Sequence, residues 1–150
     1  MDMTFREYTE LDEALLQILE DLDRLTFPEP LTKTAFAAEL RNRRNLRVLL
    51  AVCGDITCGY KIGFEESSKV FFSWSGGVLP DFRKHGIASR LLTEQHRLAK
   101  QLGYSYVRTH TKNKYRDMLV LNLKSGFEVT GVYKNLGEKA QGIILEKRLE

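Results

Sequence analysis

The sequence predicts an α/β fold, a mixed sheet with helices on both faces. Three observations carry that expectation. Val70 to Leu102 reads as strand, turn and amphipathic helix: VFFSWSGGVLP, then DFRKHGIA, then SRLLTEQHRLAKQL. A further strand, Tyr104 to Thr111 (YSYVRTHT), follows at once. Strand, helix, strand in that order demands a right-handed crossover, so these two strands pair in parallel. Upstream, two β-rich runs meet at Gly54-Asp55 and read as an antiparallel hairpin.

In chain order, Thr4 to Tyr8 alternates as a short first strand. Asp12 to Leu25 reads as a helix, with Leu15, Ile18, Leu19 and Leu22 on one face. Phe27-Pro28-Glu29-Pro30 breaks it. Thr32 or Thr34 caps a second helix that runs to about Arg44, with Phe36, Ala37 and Leu40 inward. Leu46 to Cys53 and Ile56 to Phe64 form the hairpin. Val70 begins the central strand, and Pro80 ends it because proline donates no ladder hydrogen bond. Gly76 and Gly77 inside that strand point to a bulge or to close approach by another backbone. Ile87, Leu91, Leu98 and Leu102 recur at helical spacing, and Gly103 is a natural stop. Tyr115 to Ser125 is a helix closed by Gly126, Phe127 to Tyr133 a strand, and Gly142 to Leu149 the closing strand.

Composition bounds the function. The chain has 150 residues, 43% hydrophobic and 29% charged, which suits one domain over 1–150 with a sizeable core. No apolar run approaches the ~20 residues that span a bilayer, so no membrane partner is expected. The polar, acidic start MDMTFREYTE resembles neither a signal nor a transit peptide, and a cytoplasmic location is the expectation. Net charge is +3, from 23 basic and 20 acidic residues, too mild to argue for nucleic acid. Across a two-residue hairpin, Cys53 lies opposite Ile56 and Cys58 opposite Ala51. The two thiols then do not face each other, and reduced structural cysteines are expected rather than a disulfide. Without nearby His or further Cys they make no metal site.

The turn after the central strand has chemical meaning. The first turn of a helix carries N–H groups without intrahelical partners, at the positive end of the macrodipole. Gly86 there admits a ligand close to the backbone, and Arg83, Lys84 and His85 add positive charge. The stretch reads either as a cradle for a phosphate or diphosphate, or as an ordinary strand-to-helix turn with solvated charges. It is not a Walker A loop and not GxGxxG.

Two motifs bear on that choice. Arg83-Lys84-His85-Gly86-Ile87-Ala88 matches a Q/R-x-x-G-x-G/A signature, preceded by Val78-Leu79-Pro80-Asp81-Phe82. Asn113 to Phe127 (NKYRDMLVLNLKSGF) matches a later motif ending in Gly-Phe. In this order and spacing, Val70 to Val132 resembles the GNAT acetyltransferases. That resemblance implies central parallel strands that splay apart to admit acetyl-CoA as co-substrate. It implies that backbone N–H groups from Arg83 to Ala88 hold the CoA diphosphate. The strand around Gly77, Val78 and Leu79 would lie beside the pantetheine, with the Val78 N–H polarising the thioester carbonyl. Asn113 would contact the cofactor or cap the last helix.

Acetyl transfer to an amine needs a base. A lysine-like amine at pH 7 must lose a proton at a cost of roughly 4.6 kcal/mol. Glu65 is the expected base, since adjacent Glu66 points to the other face. His110 on the next strand is second. An acid for the leaving thiolate is also needed. Many GNAT enzymes use a Tyr five residues before the Phe of Gly-Phe, where this chain has Asn122. An amide cannot donate a proton as a phenol does, though Asn122 can hold the pantetheine by hydrogen bond. Tyr115, Tyr104 and Tyr133 are replacement candidates. The acceptor is open between a small amine, a peptide N-terminus and a protein lysine, and a homodimer stays open. Two other classes compete: an acyl-CoA sensor without catalysis, which Asn122 favours, and a nucleic-acid binder using Arg41, Arg43, Arg44 and Arg47.

Overall fold

A computed structural model describes residues 2–150. The elements follow in the order β1 (Met3–Tyr8), α1 (Glu13–Thr26), α2 (Lys33–Leu40), β2 (Arg47–Cys53), β3 (Ile56–Glu65) and β4 (Val70–Val78). After a single 3-10 turn at Pro80–Phe82 come α3 (Ile87–Gln101), β5 (Tyr106–Lys112), α4 (Arg116–Lys124), β6 (Glu128–Tyr133) and β7 (Gly142–Arg148). The strands form one seven-stranded sheet, ordered β1-β2-β3-β4-β5-β7-β6. β4 and β5 pair in parallel, as the crossover rule requires.

The helices α1 and α2 start where the sequence supplies a partner for their first N–H groups. The Asp12 side chain accepts from the Leu15 N–H at 2.7 Å, and the Thr32 hydroxyl from the Ala35 N–H at 3.1 Å. α2 stops at Leu40 rather than near Arg44. Asn42 and Asn45 adopt left-handed backbone, with φ of 69° and 54°, and turn the chain into β2. Asn tolerates that region better than most residues, since its short side chain bonds locally.

Alternation along the strands divides the core between two faces. On one, α1 and α2 pack Leu15, Leu19, Phe36 and Leu40 against Val48, Leu50, Tyr60, Ile62 and Phe64. On the other, α3 packs Ile87, Leu91 and Leu98 against Leu49, Ala51 and Val78. Farther along that second face, Leu92 and Ala99 of α3 share a cluster with Phe71, Val107, Phe127 and Leu145, against which Leu119 and Leu121 of α4 rest.

Two bulges change local expectations. In the hairpin, Ala51 pairs with Gly59 and Val52 with Thr57, so Cys58 is an extra residue and not the partner of Ala51. The bulge brings the Cys58 Sγ to 2.8 Å from the Cys53 Sγ; the thiols face each other after all, though both are free and buried. Burial pushes the Cys58 thiol up to about 12. In β4 the bulge lies at Trp74, because Ile62 pairs with Ser75 and Gly63 with Ser73. Gly76 and Gly77 instead serve close approach. A Cβ on Gly77 would lie 2.8 Å from the Thr26 Cγ2, and one on Gly76 would lie 3.0 Å from the Tyr60 carbonyl oxygen.

Candidate active site

The parallel ladder between β4 and β5 covers only Val70–Ser73 against Tyr106–Thr109. Beyond it β4 stays with β3 as far as Val78, while β5 stays with β7 as far as Lys112. The strands therefore diverge, and two cavities open along the gap. The first, of about 620 Å³, runs from the start of α3 past Gly77 and Val78 to the start of α4. The second, of about 420 Å³, lies against Asp23, Trp74, His110, Asn122 and Tyr133. They meet at Phe27, Lys61, Gly76, Lys114, Tyr115 and Met118.

At the mouth of the first cavity, Gly86 is the N-cap of α3 with a left-handed φ of 77°. A Cβ there would meet no atom within 4 Å, so the space before the helix is open. Ile87, Ala88 and Ser89 line it, and their N–H groups belong to the first turn. Lys84 stands beside this end, while Lys114, Arg116 and Asp117 line the cavity where it reaches α4. An open left-handed glycine, a positive helix end and the Lys84 cation suit a diphosphate. Arg83 serves differently. Its Nε donates to the Val78 carbonyl at 3.1 Å and its Nη2 to the Thr26 carbonyl at 3.4 Å, tying the loop to β4 and α1.

The register of β4 aims a donor into the gap. Leu79 N–H donates to the Cys58 carbonyl at 2.8 Å, and Val78 stands opposite Gly59. Residues of an antiparallel pair alternate in the direction of their N–H groups. The Val78 N–H thus points away from β3, toward the side from which β5 has departed, and the Gly76 N–H does the same. The Leu79 N–H is spent on the ladder.

The predicted residues separate accordingly. Gly77, Val78, Arg83, Lys84, Gly86, Ile87, Ala88 and Tyr115 line the first cavity; Tyr115 and Asn122 line the second. Leu79, His85 and Asn113 line neither. Asn113 does not cap α4 either, whose N-cap is Tyr115. Asn122 is 3% exposed and lines the second cavity with Tyr115 and Met118.

Glu65 lies elsewhere. It pairs with Phe71 at the opposite end of β4, accepts from the Tyr104 hydroxyl at 2.8 Å and faces Arg44 at 3.6 Å. Antiparallel pairing puts the last residues of β3 beside the first of β4, far from the splay. Glu66 is likewise engaged, by Arg108 at 2.6 Å. Tyr104 is buried beside Glu65, and burial raises its hydroxyl. His110 does wall the second cavity, edge-on to Phe72 at 4.8 Å and beside Tyr133 at 4.7 Å. Burial and, secondarily, Arg108 hold it below its ordinary value against the opposing pull of Glu66, so it is neutral at pH 7.

Three residues escaped sequence reasoning. Asp23 is 4% exposed and accepts from the Tyr60 hydroxyl and from the Leu31 N–H at 2.7 Å, fixing the wall of the second cavity. Its signal was a carboxylate four residues after Leu19 on the apolar stripe of α1. Burial first, and then Asp23, raises the Tyr60 phenol. Lys61 is a half-buried cation at the cavity junction, and burial lowers it to about 8. Its signal was a lysine in the middle of an otherwise apolar strand, GYKIGF.

No curated protein matches this chain in sequence. Solved structures do match in fold. The ribosomal-protein-S18-alanine N-acetyltransferase from Escherichia coli superposes with a TM-score of 0.84 at 14% identity, over 99% of this chain and 95% of that one. Ard1 from Thermoplasma volcanium gives 0.85 at 15% identity, over 99% and 98%. A GNAT family acetyltransferase from Elizabethkingia anophelis with acetyl-CoA bound gives 0.77 at 20% identity, over 98% of each chain. The model of the acetyltransferase (GNAT) family matches residues 14–120, covering the first sequence motif and ending within the second, in α4. With that match over most of its length, and with the splayed strands and open α3 cradle in place, the chain belongs to the GNAT acetyltransferase family.

Proposed function

We propose that the chain moves an acetyl group from acetyl-CoA to a primary amine by direct attack in a ternary complex. The observation that carries this reading is the junction of the two cavities. One cavity has the charge and shape for a diphosphate carrier; the other is a separate chamber, and they share one short wall. A donor in the first and an acceptor in the second would meet there without a covalent enzyme intermediate.

Acetyl-CoA supplies the thioester. The chain's own groups do the rest. The first N–H groups of α3 and the Lys84 cation hold the diphosphate. The Val78 N–H, already fixed in direction by the β3 ladder, stabilises negative charge as it grows on the thioester oxygen. His110, neutral and facing the second cavity, accepts the proton of the acceptor amine directly or through water. Asn122 lines the acceptor's cavity, from which it would reach the end of the carrier arm by hydrogen bond, and it donates no proton. Glu65 has no part in this reading.

A second reading is an acyl-CoA sensor without catalysis, and Asn122 in place of the family's Tyr favours it. Acetyl-CoA turnover against a panel of small amines, peptide N-termini and lysine peptides separates the two. Release of free CoA thiol that depends on one amine class supports catalysis. Tight CoA binding with no turnover on any amine supports the sensor.

A further inference from the structure

We propose that Lys61 is the proton donor to the departing CoA thiol, the role that Asn122 cannot fill. This rests on the acetyl-transfer reading above.

The argument begins with the face from which Lys61 emerges. Its same-face neighbours on β3 are Gly59 and Gly63. A Cβ on Gly59 would meet Leu91 at 3.3 Å, and one on Gly63 would meet the Gln95 Nε2 at 2.8 Å; both partners are on α3. Lys61 therefore leaves the sheet on the α3 side, and its charge is close enough to help lower His96 of that helix. It stands opposite Gly76, whose lack of a side chain leaves room for the lysine stem. From there it lines both cavities.

The α3 side is the carrier's side, since the diphosphate cradle is the start of α3. The acceptor's chamber is walled by α1 at Asp23 and by Trp74 and His110, with Met118 and Asn122 of α4 opposite, while the end of α1 at Thr26 and Phe27 also reaches the carrier's cavity. A group on the carrier's side of the thioester faces the leaving sulfur rather than the attacking nitrogen. The thioester is thus flanked by two groups with opposite tasks, His110 for the amine and Lys61 for the sulfur.

The charges around Lys61 leave it free to act. Among the described residues, no carboxylate lies within ion-pairing distance of it. Asp23 of α1 is held by Tyr60 and the Leu31 N–H. Lys112 of β5 is paired with Glu138 at 3.2 Å. Lys114, Arg116 and Asp117 stand at the entrance to α4, Lys84 at the cradle, and Glu29 on the far wall. His96 is held to about 3 by burial, and by Lys147 and Lys61, so it carries no charge at neutral pH.

The step balances without any further reactant. The acceptor nitrogen bonds to the carbonyl carbon and the C–S bond breaks. The Lys61 ammonium passes one proton to the sulfur, giving CoA thiol and a neutral lysine. The acceptor's ammonium first loses one proton to water through His110, its nitrogen gives up a second to His110 as it becomes the amide, and both side chains exchange with water. Lys61, at about 8, lies close to an ordinary thiol at about 8.5, so the transfer is nearly balanced in energy.

The test uses Lys61→Met and Lys61→Arg in the whole chain. Calorimetry measures CoA binding, ultraviolet absorbance titrates the thiol of bound CoA, and hydroxylamine serves as an acceptor that needs no base. The proposal expects CoA to bind both variants within a few-fold of wild type. It expects the bound thiol to titrate at higher pH in Lys61→Met. It expects acetyl-CoA turnover to fall about 100-fold in both variants, because Arg keeps the charge but holds its proton. The loss should shrink with an acetyl thioester of an acidic thiol, whose leaving group needs no proton. Unchanged thiol titration and turnover in Lys61→Met overturn the assignment. Full activity in Lys61→Arg overturns proton donation. Wild-type protein that fails to bind CoA overturns the acetyl-transfer reading instead, a result separate from normal binding with unchanged chemistry.

Discussion

Gly86→Glu tests the cradle most directly. Gly86 is left-handed, so any other residue costs about 1–2 kcal/mol of backbone strain. No protein atom lies within 4 Å of the added Cβ, so steric cost inside the protein is nil. Gly86→Ala therefore isolates strain, and should lower the melting temperature by several degrees with CoA affinity within a few-fold of wild type. Gly86→Glu adds a carboxylate where the cradle would hold a diphosphate. Coulomb's law at roughly 6 Å and an effective dielectric of about 20 gives roughly 3 kcal/mol for each opposed unit charge. Solvent at this open mouth and salt screening reduce that to about 1 kcal/mol per charge. Two diphosphate charges then weaken CoA by about 2–3 kcal/mol, roughly 30- to 150-fold. Calorimetry with CoA and with pantetheine, which lacks the diphosphate, reads the charge term apart from the rest. Pantetheine should bind the variant as it binds wild type. A folded Gly86→Glu protein with wild-type CoA affinity refutes the cradle. An equal loss for pantetheine refutes the electrostatic reasoning and leaves strain as the cause.

His110→Gln should remove the acid limb of kcat/KM. His110 must be neutral to accept a proton, and its value is depressed, so wild-type activity rises with pH through a point below 6.5; a limb that survives the substitution excludes His110. Asn122→Ala should cut turnover at saturating acetyl-CoA while shifting the melt little, since its amide faces the cavity; a large melt shift with normal turnover makes it a structural amide. Glu65→Gln should destabilise by about 1 kcal/mol through its Tyr104 bond and leave turnover unchanged, as pH-matched melts and kinetics will show. Stability should fall with acid partly through His96. Its folded value of about 3 lies below the unfolded value of about 6.5, so its contribution is complete above 6.5 and declines as pH drops toward 3. The slope from this one group is at most about 1.4 kcal/mol per pH unit, and chemical denaturation of His96→Gln at pH 5 and 7 should show a smaller difference than wild type.

Periodicity and caps carried most of the fold. Leu15, Leu19 and Leu22 mark α1 because a helix buries one stripe, and Gly103 and Gly126 mark helix ends because both are left-handed, with φ of 94° and 99°. Strand register was less legible. The bulges at Cys58 and Trp74 arise from how two strands meet, and neither strand shows its bulge alone. Glu65 lies away from the splay for a related reason. Glu65 is near the central strand in sequence, but ligands gather at the carboxyl ends of parallel strands. β3 runs antiparallel to β4, so the residue beside that end is Lys61, opposite Gly76, and Glu65 is opposite Phe71. Following the hairpin to its far end in the sequence leads to Lys61.

The splay is enforced from both sides. β3 holds β4 through Val78, and β7 holds β5 from Tyr106 through Lys112. Each central strand has satisfied one edge with an antiparallel partner, so neither can turn to close the gap after Ser73. The inner edges beyond that point keep backbone N–H groups, Val78 and Gly76 among them, aimed at the cavity. Backbone donors of this kind persist only where water or a ligand bonds them. Pairing on the opposite edge thus fixes the direction of the Val78 N–H, as its proposed oxyanion role requires. Gly77 completes the arrangement: Thr26 and Phe27 pack where its side chain would be, bringing the end of α1 onto β4 and walling the cavity with it. Gly77→Ala should accordingly disturb both stability and CoA binding, whereas Gly86→Ala disturbs mainly the first; thermal melts and CoA calorimetry on the two alanine variants distinguish a wall from a mouth. Equal behaviour of the two would mean that the α1 contact plays no part in shaping the site.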